Sequence, residues 1–413
     1  GMKLLYRLFF WVLPILLGFS ALFSKKIKNF LSGRANIFSS LKKFRENNPG
    51  KLVWIHVASL GEYEQAKPVI AKWKERFPEF LVVVSFFSPS GYEPATRKPQ
   101  ANVDFITYLP LDRKSWAEKF VTQLNPDYAF FVKYDLWYHH IQALKKLKKP
   151  VYLISASFRP EQIYFSLFGD FFRNLLFQMN WIFTQNDQSI ALLQSIGFSR
   201  ASKVGDTRFD RVAATAAEPR PLEDIRSWIG ARPTVVVGSA WQEDMDILVP
   251  LINSKPEYLW IIAPHDLSPE PLDLWAAQLN PLAQKYSQWC PKDSNTILFI
   301  DNIGMLSSLY QFAKVAYVGG AFGKGLHNIL EPLGFGVPVI FGEVKKSGKF
   351  PEAAQSQLEG CGFQVGTAED LLQVFVNLEK EDFYQAATDS AKNWVNLNLG
   401  AAERIVSFIH SQK

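Results

Sequence analysis

Cysteine and histidine are scarce in this chain of 413 residues, and each shortage excludes something. The two cysteines, Cys290 and Cys361, are far apart and make no CxxC pair. There is therefore no disulfide framework, and the usage fits a reducing compartment. Six histidines without an HExxH motif argue against a dedicated metal site. GxxxxGK[ST] is missing, which excludes a P-loop. Net charge is +6 and the pI about 9.0, yet no dense Lys/Arg run with interleaved aromatics occurs. Nothing resembles a nucleic-acid-binding module, so no nucleic acid partner is expected. An anionic membrane or an acidic substrate remains to account for the basic balance. Short-period repeats and low-complexity tracts are also missing.

Apolar residues are plentiful. A hydrophobic content of 48% with 15% aromatics can build large cores, and the length suits two domains. Near the start, Lys3 and Arg7 precede the 16-residue run LFFWVLPILLGFSALF, which ends at Phe23 and is followed by Lys25, Lys26 and Lys28. The run is short of the roughly 20 residues that span a bilayer comfortably. Three readings are open: a signal peptide with a poor cleavage site, a single spanning helix, or a monotopic anchor with its basic flanks on anionic headgroups. The cations on the C-terminal side favour a cytoplasmic body.

Strand and helix signals alternate after residue 50, the mark of α/β with parallel sheets. Strands are predicted at 51–58, 80–87, 102–110, 127–135, 151–157 and 181–186. A second series follows at 234–241, 258–264, 296–301, 314–320 and 337–342. From about Ala368 the chain reads as helical. The stretch 213–224, AATAAEPRPLED, has no apolar period and two prolines, so it reads as an interdomain linker. The expected division is an anchor with its basic flank over 1–40, a first Rossmann-like domain over 41–212, and a second over 225–413.

The richest segment is Val318–Gly342, VGGAFGKGLHNILEPLGFGVPVIFG. It reads as strand, glycine-rich turn, short helix, strand. Gly323 and Gly325 would let backbone approach a ligand. A helix starting near His327–Asn328, with Asn328 as N-cap, would offer free N–H groups to a phosphate. Glu331, one turn in, could accept ribose hydroxyls. These features suggest a nucleotide-sugar donor site, against a plainer glycine-rich connection with a solvated Glu.

Other strand ends carry candidates, because ligands in open α/β sheets bind outside the carboxyl ends of strands. Gly61 and Glu62 follow the first strand. Glu62 near a helix N-terminus should ionise readily, which suits a general base, but Ser59-Leu60-Gly61-Glu62 also has capping-box spacing. Ser88-Pro89-Ser90-Gly91-Tyr92-Glu93 repeats the arrangement, with Ser88 or Ser90 as a cap and Glu93 in a first helical turn. Arg208 in GDTRFD is a candidate for phosphate, or a partner of Asp206 or Asp210. Gly238 and Ser239 could present N–H and hydroxyl groups to a phosphate. His265 could contact a base or phosphate, or be structural. Asp135 reads as the cap of the helix after it, and Trp137 and Tyr138 as packing or acceptor contacts.

Together the motifs resemble the 3-deoxy-D-manno-octulosonic acid (Kdo) transferases of lipopolysaccharide synthesis. The resemblance runs from the N-terminal segment to about residue 365. It rests on Ser59–Glu62, Ser88–Glu93, Tyr108-Leu109-Pro110-Leu111-Asp112, Asp135–Tyr138, Gly205–Asp210 and, most specifically, Gly325-Leu326-His327-Asn328-Ile329-Leu330-Glu331-Pro332. It implies the GT-B architecture, two doubly wound domains facing a cleft, with an N-terminal membrane anchor. It also implies an inverting transfer of Kdo from CMP-Kdo to the lipid A precursor, at the cytoplasmic face of the inner membrane. Glu62 would be the base, and Glu93, Ser90 and Gly61 would lie on the acceptor side. Arg208, Gly238, Ser239, His265, Gly325, His327, Asn328 and Glu331 would serve the donor, with no metal or other cofactor. The family usually has arginines near Pro264–Pro269, a Lys at 208 and a Glu at 135, so the chain departs there. Another membrane-associated GT-B glycosyltransferase, a sugar-nucleotide epimerase and a non-catalytic nucleotide-binding module are the alternatives.

Overall fold

A computed structural model describes residues 1–345 and 350–412. Its contacts form two compact units, Gly1–Asp210 with Gly400–Lys413, and Arg211–Leu399.

The first unit is built on β1 (Leu52–Val57), β2 (Leu81–Phe86), β3 (Phe105–Tyr108), β4 (Tyr128–Val132), β5 (Val151–Ala156), β6 (Trp181–Thr184) and β7 (Ala201–Lys203). Among the described residues these make one seven-stranded sheet in the order β3-β2-β1-β4-β5-β6-β7, with every pair parallel. The strands are apolar throughout because both faces are covered. Alternate residues feed separate cores. Leu52, Trp54, Val83 and Phe131 enter one, and Val53, Ile55, Val84 and Phe130 the other. Order reverses between β1 and β4, which makes that edge the switch point.

Three observations refine the expected division of this unit. First, the segment 1–40 packs on the body of the unit: Phe10 and Ile37 are buried, and a Cβ on Gly33 would lie 2.6 Å from the Tyr108 ring. The Arg34 guanidinium donates to the carbonyls of Leu109 and Phe87 and lies over the Phe30 ring, where burial pulls its pKa down to about 10. Second, the helix Ala401–Ser411 belongs to this unit, not to the second. Ala401, Ile405, Val406 and Ile409 complete the core against Val53 and Ile55. Gly400 at its N-cap has no side chain, and Asp210 supplies the missing acceptor to the N–H groups of Gly400 (2.7 Å) and Ala402 (3.2 Å). Third, the expected linker is half helix. Arg208–Ala217 is one helix, and from Arg211 the chain belongs to the second unit.

The second unit holds β8 (Thr234–Ala240), β9 (Leu259–Pro264), β10 (Ala283–Lys285), β11 (Ile297–Phe299), β12 (Val315–Val318), β13 (Val339–Gly342) and β14 (Gly362–Val365). The sheet order is β10-β11-β9-β8-β12-β13-β14, again parallel, with its switch point between β8 and β12. Strands β10 and β14 had no clear sequence signal: AQK and GFQV are short edge strands with few apolar residues. Three helices, Ala368–Glu379, Glu381–Asn398 and Ala401–Ser411, fill the end as expected.

Ile405→Ala should lower stability by about 2–5 kcal/mol, since it cuts a fully buried side chain from the first unit's core. Denaturant unfolding followed by tryptophan fluorescence would measure it; an unchanged midpoint would remove the C-terminal helix from that core.

Candidate active site

The first switch point gathers two carboxylates. After β1 the chain turns at Ala58–Ser59 into the helix Leu60–Arg76, and Glu62 lies in its first turn. Glu62 Oε1 accepts from the Ala58 N–H at 2.9 Å, while Ser59 at the N-cap makes no side-chain capping bond. Neither half of the capping box forms, because the carboxylate reaches past the Ser59 N-cap to the residue before it.

Asp135, just beyond β4, is the other carboxylate. Burial and the Asp135 charge push the Glu62 carboxyl up to about 7, against the Ala58 N–H and the Lys133 charge. The expectation that a helix N-terminus would leave Glu62 readily ionised is therefore overturned: desolvation wins.

Asp135 does not cap the following helix. Its Oδ2 lies 2.6 Å from His56 Nε2 and accepts from Trp137 Nε1 at 3.1 Å. His56 is fully buried, and its Nδ1 lies 2.8 Å from Ser85 Oγ, which also accepts from Trp54 Nε1 at 2.8 Å. With Trp54 donating to Ser85, the hydroxyl proton can go to His56 Nδ1, leaving Nε2–H for Asp135. The helix after Asp135 is capped instead by Asp112, which accepts from the N–H groups of His139 (2.9 Å) and His140 (3.0 Å). Sequence reasoning missed His56 and Ser85. A signal existed: each is the polar residue of an apolar strand, and they pair across β1 and β2.

The turn after β2 is tied to the same corner. Ser88 stands at the N-cap of the helix Pro89–Thr96 and donates to the Ala58 carbonyl at 3.0 Å. Ser90 Oγ lies 2.9 Å from Ser88 Oγ, and Ser90 and Glu93 are exposed. Glu93 is the fifth residue of that helix, not in its first turn. A Cβ at Gly61 would meet nothing nearer than Ser59 Oγ at 3.7 Å, so packing does not demand glycine there.

Arg208 is already engaged. Its Nη2 donates to Asp206 Oδ2 at 2.8 Å and its Nε to both carboxylate oxygens at 3.2 Å. Beneath them Thr207 donates to the buried Gln65.

The second switch point gathers an aromatic platform. The His265 ring stacks on Trp241 at 3.9 Å between centroids, and Trp241 Nε1 donates to His327 Nε2 at 3.1 Å. Sequence reasoning did not select Trp241. Asp244 fixes its turn: it accepts from the N–H groups of Trp241 (3.0 Å) and Gly320 (3.1 Å) and from the Tyr317 hydroxyl (2.6 Å). Ser239 holds a left-handed φ of 52°, a strained state for a serine, and is half-buried. Gly238 serves packing: a Cβ there would lie 2.0 Å from the Tyr310 hydroxyl, and its carbonyl accepts from Gly319 N–H. Gly325 has φ 144° and its Cβ position faces the Phe350 ring at 2.8 Å. The expected helix start is displaced. The helix is Leu330–Gly334, only five residues with Ile329 at its N-cap, and Asn328 Oδ1 accepts from Leu330 N–H at 2.8 Å. Glu331 is half-buried and bears electrostatically on Tyr310. Among the described residues, no group of three His, Cys, Asp or Glu is placed for a metal ion.

A sequence model of the family described as 3-deoxy-D-manno-octulosonic-acid transferase (kdotransferase) matches residues 34–211, the span that carries Glu62, Glu93 and Asp135. Over that span the chain is similar to the Kdo transferases. The Kdo transferase of Chlamydia trachomatis serovar A is 27% identical over 377 residues, 88% of this chain and 86% of that one. The matched domain and these relatives mark the chain as a glycosyltransferase. Among solved structures, MurG from Acinetobacter baumannii superposes with a TM-score of 0.59 at 15% identity, over 88% of this chain and 100% of that one. UDP-GlcNAc 2-epimerase from Neisseria meningitidis gives 0.56 at 14% identity, over 88% and 100%. The fold is therefore of the GT-B type, shared by transferases and epimerases alike.

Asp135→Asn should lower the Glu62 pKa, because it removes a like charge. A raised pKa in the folded state stabilises below the ordinary glutamate value and is lost as pH rises through about 7, so this variant should also lose less stability across that window. Carboxyl NMR titration of labelled Glu62 would test it; an unmoved pKa would show that burial alone sets it.

Proposed function

We propose that this chain moves Kdo from CMP-Kdo to the lipid A precursor, with inversion, at the cytoplasmic face of the inner membrane. The observation that carries the reading is Glu62, fixed by the Ala58 N–H at a strand end with its carboxyl pushed up to about 7. A base with that affinity for protons is matched to neutral pH. Glu62 takes the proton of the acceptor hydroxyl as its oxygen attacks the anomeric carbon. The bond to CMP breaks in the same in-line step, so one base suffices and no covalent intermediate forms. Asp135 and His56 position Glu62, and Ser90, Gly61 and Glu93 receive the acceptor.

In the second unit, Trp241, His265 and His327 offer rings against which a base can stack. Ser239 and Asn328 offer hydrogen bonds to the phosphate, with Lys324 beside Trp241 as the nearby cation. Glu331 holds ribose hydroxyls, and Gly325 keeps that loop's backbone close. Arg208 is left out of this set, being paired with Asp206, and Gly238 acts only through packing. The helix Met2–Ser20 is long and apolar enough to cross a membrane, which favours a lipid acceptor over a soluble one.

Glu62→Gln should cut kcat by about 10²–10⁴ while CMP binding survives. In the wild type, kcat/KM should rise with pH through about 7 as Glu62 loses its proton. Both are read by mass spectrometry of the lipid product in detergent. Turnover retained in the variant would sink the assignment of the base.

A further inference from the structure

A cavity lies in the first unit, under the N-terminal helix. It encloses about 470 Å³ and is lined by Lys3 and Arg7 of that helix, by Lys114 and Glu118, and by His139 and Lys146. Four cations face one carboxylate, and among the described residues none of the four lies within ion-pair distance of any carboxylate. Like charges gathered without counter-charge repel one another, so the arrangement is suited to an anion.

His139 makes the case specific. It is 6% exposed, lines the cavity, and its Nε2 has no hydrogen-bond partner. A buried ring nitrogen left unsatisfied costs free energy unless something fills its site. Burial holds the ring's pKa below the ordinary value, with Arg7 and Lys114 adding to this against Asp112. The other side of the ring's residue is spent: its N–H caps onto Asp112, which also accepts from the Tyr6 hydroxyl. Tyr6 thus pins the N-terminal helix over the cavity.

Location narrows the anion further. Leu4, Leu5, Leu8 and Phe9, from the same helix turns as Lys3 and Arg7, are exposed apolar residues. Hydrocarbon along those side chains would place a polar headgroup at Lys3 and Arg7, where the cations converge.

We infer that this cavity binds the phosphorylated headgroup of a membrane lipid, whether a bilayer phospholipid or the acceptor itself. Lys114 and Lys146 come from the body of the unit and Lys3 and Arg7 from the membrane helix. A phosphate between them clamps the helix to the body. The site does not depend on the transfer reaction.

The test uses the full chain and co-sedimentation with vesicles of phosphatidylcholine alone, with added phosphatidylglycerol, or with a phosphorylated disaccharide lipid. Lys114→Gln with Lys146→Gln should weaken binding to phosphorylated vesicles about tenfold or more and leave binding to phosphatidylcholine unchanged. Lys42→Gln with Lys43→Gln, an equal charge loss on an exposed helix elsewhere, should do much less. His139→Phe, which keeps the ring but deletes the nitrogen, should weaken the same vesicles. A loss confined to the disaccharide lipid would assign the site to the acceptor; a loss on both would assign it to phosphate headgroups generally. Equal losses from the two lysine pairs would reduce the effect to diffuse surface charge and overturn the site. So would wild-type affinity in the cavity variant.

Discussion

Burial of the Glu62 carboxylate at the end of a parallel sheet, with Asp135 beside it, is the constraint on which the first unit's candidate site rests. Glu62 and Asp135 reach the same place because β1 and β4 are neighbours at the switch point, and the loops beyond them leave the sheet in opposite directions. Neither charge can be relaxed by water as it would be in solution. The two solve the conflict differently. Asp135 has His56 Nε2 at 2.6 Å and accepts from Trp137 Nε1 at 3.1 Å. Glu62 has one backbone N–H and a distant lysine, so it bears the cost as a raised pKa.

The GT-B fold was legible from pattern because parallel strands buried on both faces must be apolar along their whole length. LVWIHV, LVVVSF and TVVVGSA announce themselves; AQK and GFQV cannot, since edge strands bury too little to show a pattern. Long-range choices were not legible. Nothing in AAERIVSFIH says that it packs on a sheet more than three hundred residues earlier in the chain. Asp210 supplies the cap that Gly400 lacks, and Ile405, Val406 and Ile409 complete the core beyond it. The linker misled for a related reason: Ala213–Ala217 lacks apolar periodicity, yet alanine is a strong helix former and the helix from Arg208 runs on through it.

The candidate site was legible in its residues and not in their connections. Motif positions picked out Glu62, Ser239, His265 and His327, but the partners that set their properties are single polar or aromatic residues in apolar surroundings. Trp241 joins His265 and His327 only once Asp244 has fixed its turn to Gly320. Arg208 shows the opposite limit, since a forked cation beside a carboxylate two residues away is consumed locally. Backbone strain marks the same places. Lys133, Ser155 and Ser239 are non-glycine residues with positive φ, and all three lie at or just past the C-terminal ends of strands. Such strain costs about 1–3 kcal/mol each and persists where surrounding structure holds it, commonly at sites that position groups for chemistry.

Asp112 joins the Glu62 corner to the N-terminal helix. One carboxylate, fully buried, accepts from His139 and His140 backbone, from His140 Nδ1 and from the Tyr6 hydroxyl. Those hydrogen bonds hold its pKa down, against burial. The segment it caps begins three residues after Asp135, with Trp137 between them bonded to Asp135 and stacked on Phe87. The N-terminal helix is therefore not an appendage joined by a flexible tether. It is hydrogen-bonded to the same short loop that supports Glu62. A lipid that loads the cavity beneath this helix would act on that loop through one carboxylate and one indole. The contacts of the N-terminal helix and those of the Glu62 corner in this way meet in a single stretch of chain, Asp135 to His140.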